Sequence, residues 1–172
     1  MLKLLGALLV IAACTAFGIK SVMKKRDTIK ALKELRSALS EIARAINFQL
    51  DPLPEVISRL HKEQFSEADS FISQLHTNVQ NSENEPFSQL WEHTIKLFSK
   101  EKELPIQAES LLLSLGESLG KMDYETELSR LKEGQASLSE LIDETEQNYG
   151  KTEKMTKSLS IILGIFIVIL LL

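Results

Sequence analysis

Cysteine is almost absent from this 172-residue chain: Cys14 is the single one, and it lies within an apolar run. An intrachain disulfide needs two cysteines, and so does a zinc site built on paired cysteines. The composition therefore excludes a disulfide-stabilised domain and a cysteine-rich metal centre.

Glycine, proline and aromatic residues are also scarce, with 7 glycines, 4 prolines and 6% aromatic side chains. The remainder is rich in Leu, Glu, Lys, Gln, Ser and Ala, which favour helix because they lose little conformational freedom there. We therefore predict an all-α protein. The expected architecture is a six-helix antiparallel bundle without β-sheet, whose long first and last helices continue into N- and C-terminal transmembrane segments.

Motifs for catalysis are missing from the sequence as well. Gly116 and Gly120 lie among leucines, without the Lys-Ser/Thr pair that follows a phosphate-binding loop. The three histidines fall on different predicted helices, and neither His-Glu-x-x-His nor Glu-x-x-His occurs. We therefore expect no enzyme activity, no cofactor, no metal ion and no small-molecule substrate.

Two apolar runs are present, at residues 4–19 and 159–172. At 1.5 Å per residue they give helices of about 24 Å and 21 Å, both somewhat shorter than a hydrocarbon core of about 30 Å. The pattern predicts an N-terminal transmembrane helix at 1–23, a cytoplasmic helical bundle at 24–157 and a C-terminal transmembrane helix at 158–172. Because the second run is short, it must recruit residues from Met155 onward, thin the bilayer or pack against partner helices, and its shortness suggests helix neighbours in a larger assembly.

Basic residues near the apolar runs predict the orientation, because Lys and Arg are retained on the cytoplasmic side. The inner flanks are basic, whereas the outer flanks offer only Lys3. We expect the bundle to lie on the cytoplasmic side of the cell membrane, with both termini outside. The inner basic residues are Lys20, Lys24, Lys25 and Arg26 after the first run, and Lys151, Lys154 and Lys157 before the second.

One alternative topology comes from Ile11-Ala12-Ala13-Cys14, which resembles a bacterial lipoprotein cleavage box. Processing there would place the domain outside the cell. The apolar stretch continues past Cys14 to Ile19, however, and the basic cluster that follows would hinder export. The spanning-helix interpretation is therefore favoured.

Prolines and polar stretches divide the central region into helices. No Gly or Pro lies between Lys20 and Leu50, so the first helix is predicted to run without a break to Asp51-Pro52. Trp91 has the spacing of a core residue. The later helices are expected to begin at Pro54, Ser66, Pro86 and Pro105, with a charged connector at 99–103, a helix end near Gly120 and a cap at Asp123 that starts the long sixth helix.

Charge is distributed unevenly along the chain. Residues 20–36 hold seven Lys and Arg and two acids, whereas residues 37–150 hold 9 Lys and Arg and 21 Asp and Glu. An acidic body repels phosphate backbones, so nucleic acid is not an expected partner. Glu140, Asp143 and Glu144 form the candidate docking surface, although such runs usually lie on a solvated face. The membrane-proximal basic residues either bind anionic lipid or only set the topology.

Three stretches resemble the stage III sporulation protein AB family of endospore-forming bacteria: residues 1–7, residues 35–39 with 53–57, and residues 115–123. The resemblance covers the whole chain. The bundle is similar in turn to the cytoplasmic domains of type II secretion F and type IV pilus platform proteins, which are six-helix bundles. That link rests on Leu115, Gly116, Leu119, Gly120 and Asp123.

The family resemblance implies a function. It suggests a non-catalytic platform subunit, in the membrane, of the channel complex between mother cell and forespore. Such a subunit would dock a secretion-type ATPase and contact other channel subunits, and it could form homo-oligomers. The alternative is a lipid-binding membrane adaptor or sensor without a motor partner. This chain has one bundle and two predicted spans, so the ring geometry of the secretion proteins does not carry over directly.

Overall fold

The computed structural model describes residues 2–48, 51–82, 85–119 and 124–171. Within these ranges the chain forms α-helices and no strand, which confirms the all-α prediction and its count of six helices. They are α1 (Leu2–Phe48), α2 (Leu53–Leu60), α3 (Asp69–Asn81), α4 (Phe87–Lys102), α5 (Ile106–Ser118) and α6 (Tyr124–Leu171).

Three of the four prolines stand immediately before helices. Pro52, Pro86 and Pro105 occupy the N-cap positions of α2, α4 and α5, each with ψ near 140°. Proline has no backbone N–H to leave unsatisfied at this position, and its fixed φ suits the first turn. The predicted starts of α4 and α5 are therefore confirmed, and α2 begins one residue before the predicted Pro54.

Two predicted boundaries are wrong. Ser66 does not begin the third helix: α3 starts at Asp69 with Ala68 at its N-cap, because a carboxylate from another helix holds the amides of this turn. The stretch 99–103 is not a connector, since α4 continues to Lys102 and ends where Glu103 adopts a left-handed conformation. The predicted helix end at Gly120 and cap at Asp123 lie outside the described residues.

The chain divides into two compact units, one made of Met1–Asp27 and Glu144–Leu172 and the other of Thr28–Asp143. The hydrophobic core of the second unit uses the predicted stripes of α1 and α6. On α1 the buried positions cover a wide arc, because Ala31, Ala38 and Ala45 are buried along with the larger side chains. Those larger side chains are Leu32, Leu35, Leu39, Ile42 and Ile46 on α1, opposite Leu131, Leu138 and Ile142 on α6.

Polar contacts fix the register of α1 against α6 inside the second unit. The Arg36 guanidinium donates to the Ser139 hydroxyl at 2.8 Å, and the Ser40 hydroxyl donates to Gln135 Oε1 at 3.1 Å. The Gln135 amide nitrogen in turn donates to the Leu39 carbonyl at 3.2 Å. Residue numbers rise along α1 as they fall along α6, so the two helices are antiparallel here, as predicted.

Across the ranges that the structure describes, no helix is both long enough and apolar enough to cross a membrane. The predicted spans at 1–23 and 158–172 fall on helical residues 2–23 and 158–171, and most of the side chains in these segments lie outside the described residues. The spans, and the boundaries drawn from them, stay predictions from the sequence.

Replacement of Glu103 by glycine should stabilise the fold. Glu103 has a φ of 51°, the one positive φ of a non-glycine residue among those described. A left-handed backbone is strained for residues that carry a Cβ, whereas glycine adopts it freely. We expect Glu103→Gly to raise the free energy of unfolding by about 0.5 kcal/mol, measured by urea denaturation of the full chain in detergent.

The matched control for this change is Lys100→Gly, at an exposed position within the last turns of α4. Glycine there replaces a helical residue and should lower stability by about 0.5 to 1 kcal/mol. If both glycine variants lost stability equally, the left-handed cap at Glu103 would be contradicted.

Candidate functional site

The candidate docking surface lies on α6. Glu140, Asp143 and Glu144 are all exposed, and their spacing of three and four residues places them on one side of the helix. Glu133, also exposed, lies two turns before Glu140 on the same side. The sequence analysis missed Glu133, although its seven-residue spacing from Glu140 was the available signal. We refer to these four carboxylates as the acidic face of α6. Glu133, Glu140 and Asp143 belong to the second compact unit, and Glu144 belongs to the first.

The acidic face is accessible to solvent along α6. Ion pairs occur at other carboxylates, as between Lys96 and Glu92 at 2.6 Å and between Arg59 and Asp51 at 3.1 Å. Ala136 and Ser137, which are exposed between the carboxylates, are too small to shield them. Four exposed negative charges along one helix attract a basic surface and speed its approach.

The family-like motif has a packing role. Leu115, Gly116 and Leu119 are buried in the second unit, so this part of the motif is not available to a partner. Gly120 and Asp123 lie outside the described residues. The described residues of the family-like motif therefore serve to pack α5 against its neighbours.

Gly116 allows Trp91 of α4 to lie directly on the backbone of α5. The indole N–H of Trp91 donates to the Leu112 carbonyl at 2.8 Å, one turn before Gly116. A Cβ at Gly116 would lie only 2.6 Å from Trp91 Cγ, closer than real Cβ contacts. Trp91 is 1% exposed and packs edge-on against Phe71, with ring centroids 5.2 Å apart, which confirms its prediction as a core residue.

Gly134 of α6 plays a similar part for Leu115. A Cβ there would lie 2.7 Å from Leu115 Cδ1, so the close packing of α5 on α6 depends on the missing side chain. The sequence indicated Gly134 only as a weak point in the helix. Its cost in helix propensity, about 1 kcal/mol relative to alanine, is offset by the contact it permits.

A polar cluster that the sequence analysis did not predict joins α1 to the start of α3. One carboxylate oxygen of Glu34 accepts hydrogen bonds from the backbone N–H groups of Ser66, Glu67 and Ala68, at 3.0, 2.9 and 2.9 Å. The other oxygen accepts from the Ser66 hydroxyl at 3.0 Å. Since α3 has no side-chain cap of its own, Glu34 serves as its cap from another helix. We call this arrangement the Glu34 clasp.

The clasp changes the acidity of Glu34. Burial alone would raise its pKa, but the amides of Ala68, Ser66 and Glu67 and the Ser66 hydroxyl stabilise the ionised form, and together they lower the pKa of Glu34 below its model-compound value of 4.5. Lys30 Nζ lies 3.9 Å from the same carboxylate. The clasp is therefore ionised at neutral pH.

Lys102 joins the same region to the end of α4. Its ammonium lies 3.0 Å from Glu67 Oε2 and 3.4 Å from Glu101 Oε1. Burial would lower the pKa of Lys102, but its hydrogen bonds and charge interactions with Glu67 and then Glu101 raise it overall. The Thr28 hydroxyl donates to the Lys102 carbonyl at 2.7 Å. Residues 28–34 of α1 thus hold both the first turn of α3 and the last turn of α4.

The four basic residues that follow the first apolar run belong to the first compact unit. Lys20, Lys24, Lys25 and Arg26 are exposed on α1. Their positions turn through more than half of the helix circumference over about 9 Å of its length. We call these four residues the basic collar. Ile19 and Met23, between and beside them, are 45% and 57% exposed.

Two of the three histidines come together, which the sequence did not predict. The rings of His61 and His76 stack with centroids 4.3 Å apart and planes 10° from parallel. The Gln80 amide nitrogen contacts His76 Nε2 at 3.0 Å. No group of three or more His, Cys, Asp or Glu side chains suited to a metal ion occurs in the described part of the chain.

These observations define an all-α protein with an exposed acidic helix face, a basic collar and a tightly packed α4–α5 pair. The chain belongs to the stage III sporulation protein AB family, whose family model matches residues 3–172. It is 26% identical to the stage III sporulation protein AB of Bacillus subtilis (strain 168) over 171 residues, which are 99% of either chain. No solved structure matches it. Family membership supports a role in sporulation.

Proposed function

We propose that this protein is a non-catalytic platform subunit of the channel complex that links mother cell and forespore during sporulation. In this proposal it docks a secretion-type ATPase on the cytoplasmic side of the mother-cell membrane that faces the forespore, and it contacts other channel subunits. Family membership supports the sporulation role. The fold, with one helical bundle, is compatible with the six-helix cytoplasmic domains of secretion platform proteins.

The acidic face of α6 is the observation that carries the docking part of the proposal. It presents exposed carboxylates, and a partner with Lys or Arg on its surface would neutralise them. The sequence predicts Glu140, Asp143 and Glu144, and Glu133 extends the face by two helical turns toward the start of α6. A complementary basic patch on the motor is the expected counterpart.

Membrane attachment remains part of the proposal and rests on the sequence. The apolar runs at 4–19 and 159–172, together with basic inner flanks, support a membrane location with both termini outside. The helices α1 and α6 would then connect the cytoplasmic part of the chain to its two apolar runs. Neighbouring subunits or further copies of the chain would pack against the short second run.

A charge-reversal experiment tests the docking face. The triple variant Glu140→Lys, Asp143→Lys, Glu144→Lys should reduce recovery of the ATPase with the tagged full chain at least about tenfold, because attraction becomes repulsion. Recovery is measured by quantitative mass spectrometry of complexes purified from sporulating cells at low and at high salt. The loss should be greatest at low salt, where surface charges are least screened.

A matched control separates the face from the overall charge. Glu55→Lys, Glu63→Lys, Glu117→Lys makes the same change in net charge at exposed positions outside α6. It should leave ATPase recovery near that of the wild type. Equal recovery with both triple variants would refute the acidic face of α6 as the docking surface.

The alternative function is a lipid-binding adaptor or sensor without a motor partner, and the exposed basic collar is the observation in its favour. The two functions predict different effects of the acidic-face triple variant on sporulation. The adaptor requires that sporulation survive this variant and fail when the collar cations are removed. The platform requires that the acidic-face variant block sporulation.

A further inference from the structure

The first compact unit carries most of the exposed apolar surface. Of seven large apolar side chains that are exposed among the described residues, five belong to this unit. Exposed apolar side chains gathered in one part of a protein mark a surface that something else covers. The five are Ile19 and Met23 on α1 and Met155, Leu159 and Ile162 on α6.

Charge beside this apolar surface points to what covers it. The basic collar interleaves with Ile19 and Met23 along α1. Apolar and cationic side chains at one level of a helix fit the boundary between acyl chains and anionic headgroups, where Lys and Arg extend their charges outward. A basic partner protein would be repelled, and an acidic one would leave the apolar side chains exposed.

The shape of the collar fits the same partner. Its four cations span about 9 Å along α1, comparable with the depth of one headgroup layer. They turn around the helix instead of lining one side, so several lipid molecules can be contacted at once.

We propose that the basic collar binds the headgroups of anionic phospholipids, so that the chain selects negatively charged lipid from a mixed bilayer. This inference rests on the membrane location in the proposed function and adds the lipid class to it. The binding is electrostatic, and each Lys or Arg near a charged bilayer surface contributes about fivefold in affinity before screening. To bind these headgroups, the collar needs to reach only the surface of the bilayer.

The test uses the full chain in detergent micelles with equal amounts of phosphatidylglycerol and phosphatidylcholine, and native mass spectrometry counts the lipids bound to each protein. We expect the wild type to favour phosphatidylglycerol at least about tenfold. The variant Lys20→Gln, Lys24→Gln, Lys25→Gln, Arg26→Gln should lose this preference. The control Lys62→Gln, Lys100→Gln, Arg130→Gln, Lys132→Gln loses as many exposed cations from the second unit and should keep it.

Three outcomes overturn the inference: no lipid preference in the wild type, equal loss in both variants, or complete displacement of phosphatidylglycerol by excess inorganic phosphate. The last would identify a free-anion site and not a lipid site. ATPase recovery with the collar variant keeps the two proposals apart. Lost lipid preference with normal ATPase recovery in the collar variant leaves the docking face intact, whereas a wild type that prefers phosphatidylglycerol but recovers no ATPase contradicts only the motor partner.

Discussion

Gly116→Ala should lower the free energy of unfolding by about 2 kcal/mol. The new methyl group would meet the Trp91 ring, which is fixed by its hydrogen bond to the Leu112 carbonyl and by its aromatic neighbours. Overpacking a rigid core contact costs about 3 kcal/mol, of which the better helix propensity of alanine restores about 1 kcal/mol. Urea unfolding of the full chain in detergent, followed by circular dichroism, measures the difference.

The other helical glycines supply controls for this prediction. Gly150→Ala has no atom within 4 Å of the added methyl group, so it should raise stability, by up to about 1 kcal/mol. The methyl group of Gly134→Ala meets the end of the flexible Leu115 side chain, which can shift, so the stability of this variant should fall between those of the other two. The same stability change at all three positions would contradict the close contact of α4 with α5.

Glu34→Ala should destabilise the fold by about 2 kcal/mol, because it leaves three backbone N–H groups at the start of α3 without their acceptor. Glu34→Gln keeps an acceptor oxygen but not the charge, and it should cost about half as much. Glu63→Ala, at an exposed position, should change stability by less than about 0.5 kcal/mol. The measurement is again urea unfolding.

The clasp also predicts a dependence on pH. The folded state lowers the pKa of Glu34, so its stabilising effect is complete above the unfolded value of 4.5 and is lost as the pH falls through the folded value. The stability advantage of the wild type over Glu34→Gln should therefore be constant near neutral pH and shrink below pH 4.5. An advantage that stayed constant down to pH 3 would contradict an ionised clasp.

Much of the fold follows from local patterns along the chain. Two local signals are the apolar stripes of α1 and α6 and the prolines before α2, α4 and α5. Each signal depends on residues a few positions apart, so spacing alone predicts where a helix forms and which of its faces is buried. The start of α3 was mispredicted because its cap comes from Glu34, 32 residues before Ser66. A contact of that range leaves no periodic signal in a single sequence.

The candidate sites divide in the same way. The acidic face and the basic collar are runs of charge on single helices, and the structure finds their described side chains exposed, as a solvated charged surface should be. The sequence could not show which carboxylates form ion pairs between separate helices, as Glu67 does with Lys102. Nor could it show the stacking of His61 on His76, because the two rings come from different elements.

The sequence by itself determined that this protein is all-α, that its middle is acidic and its first helix basic near Lys24, and that it resembles the stage III sporulation protein AB family. Composition, helical periodicity and a family resemblance are properties of residue order, so no coordinates were needed. Only the tertiary structure decided that Gly116 leaves room for Trp91, that Gly134 leaves room for Leu115, and that Glu34 caps α3. These roles arise where separate helices meet, at distances set by packing.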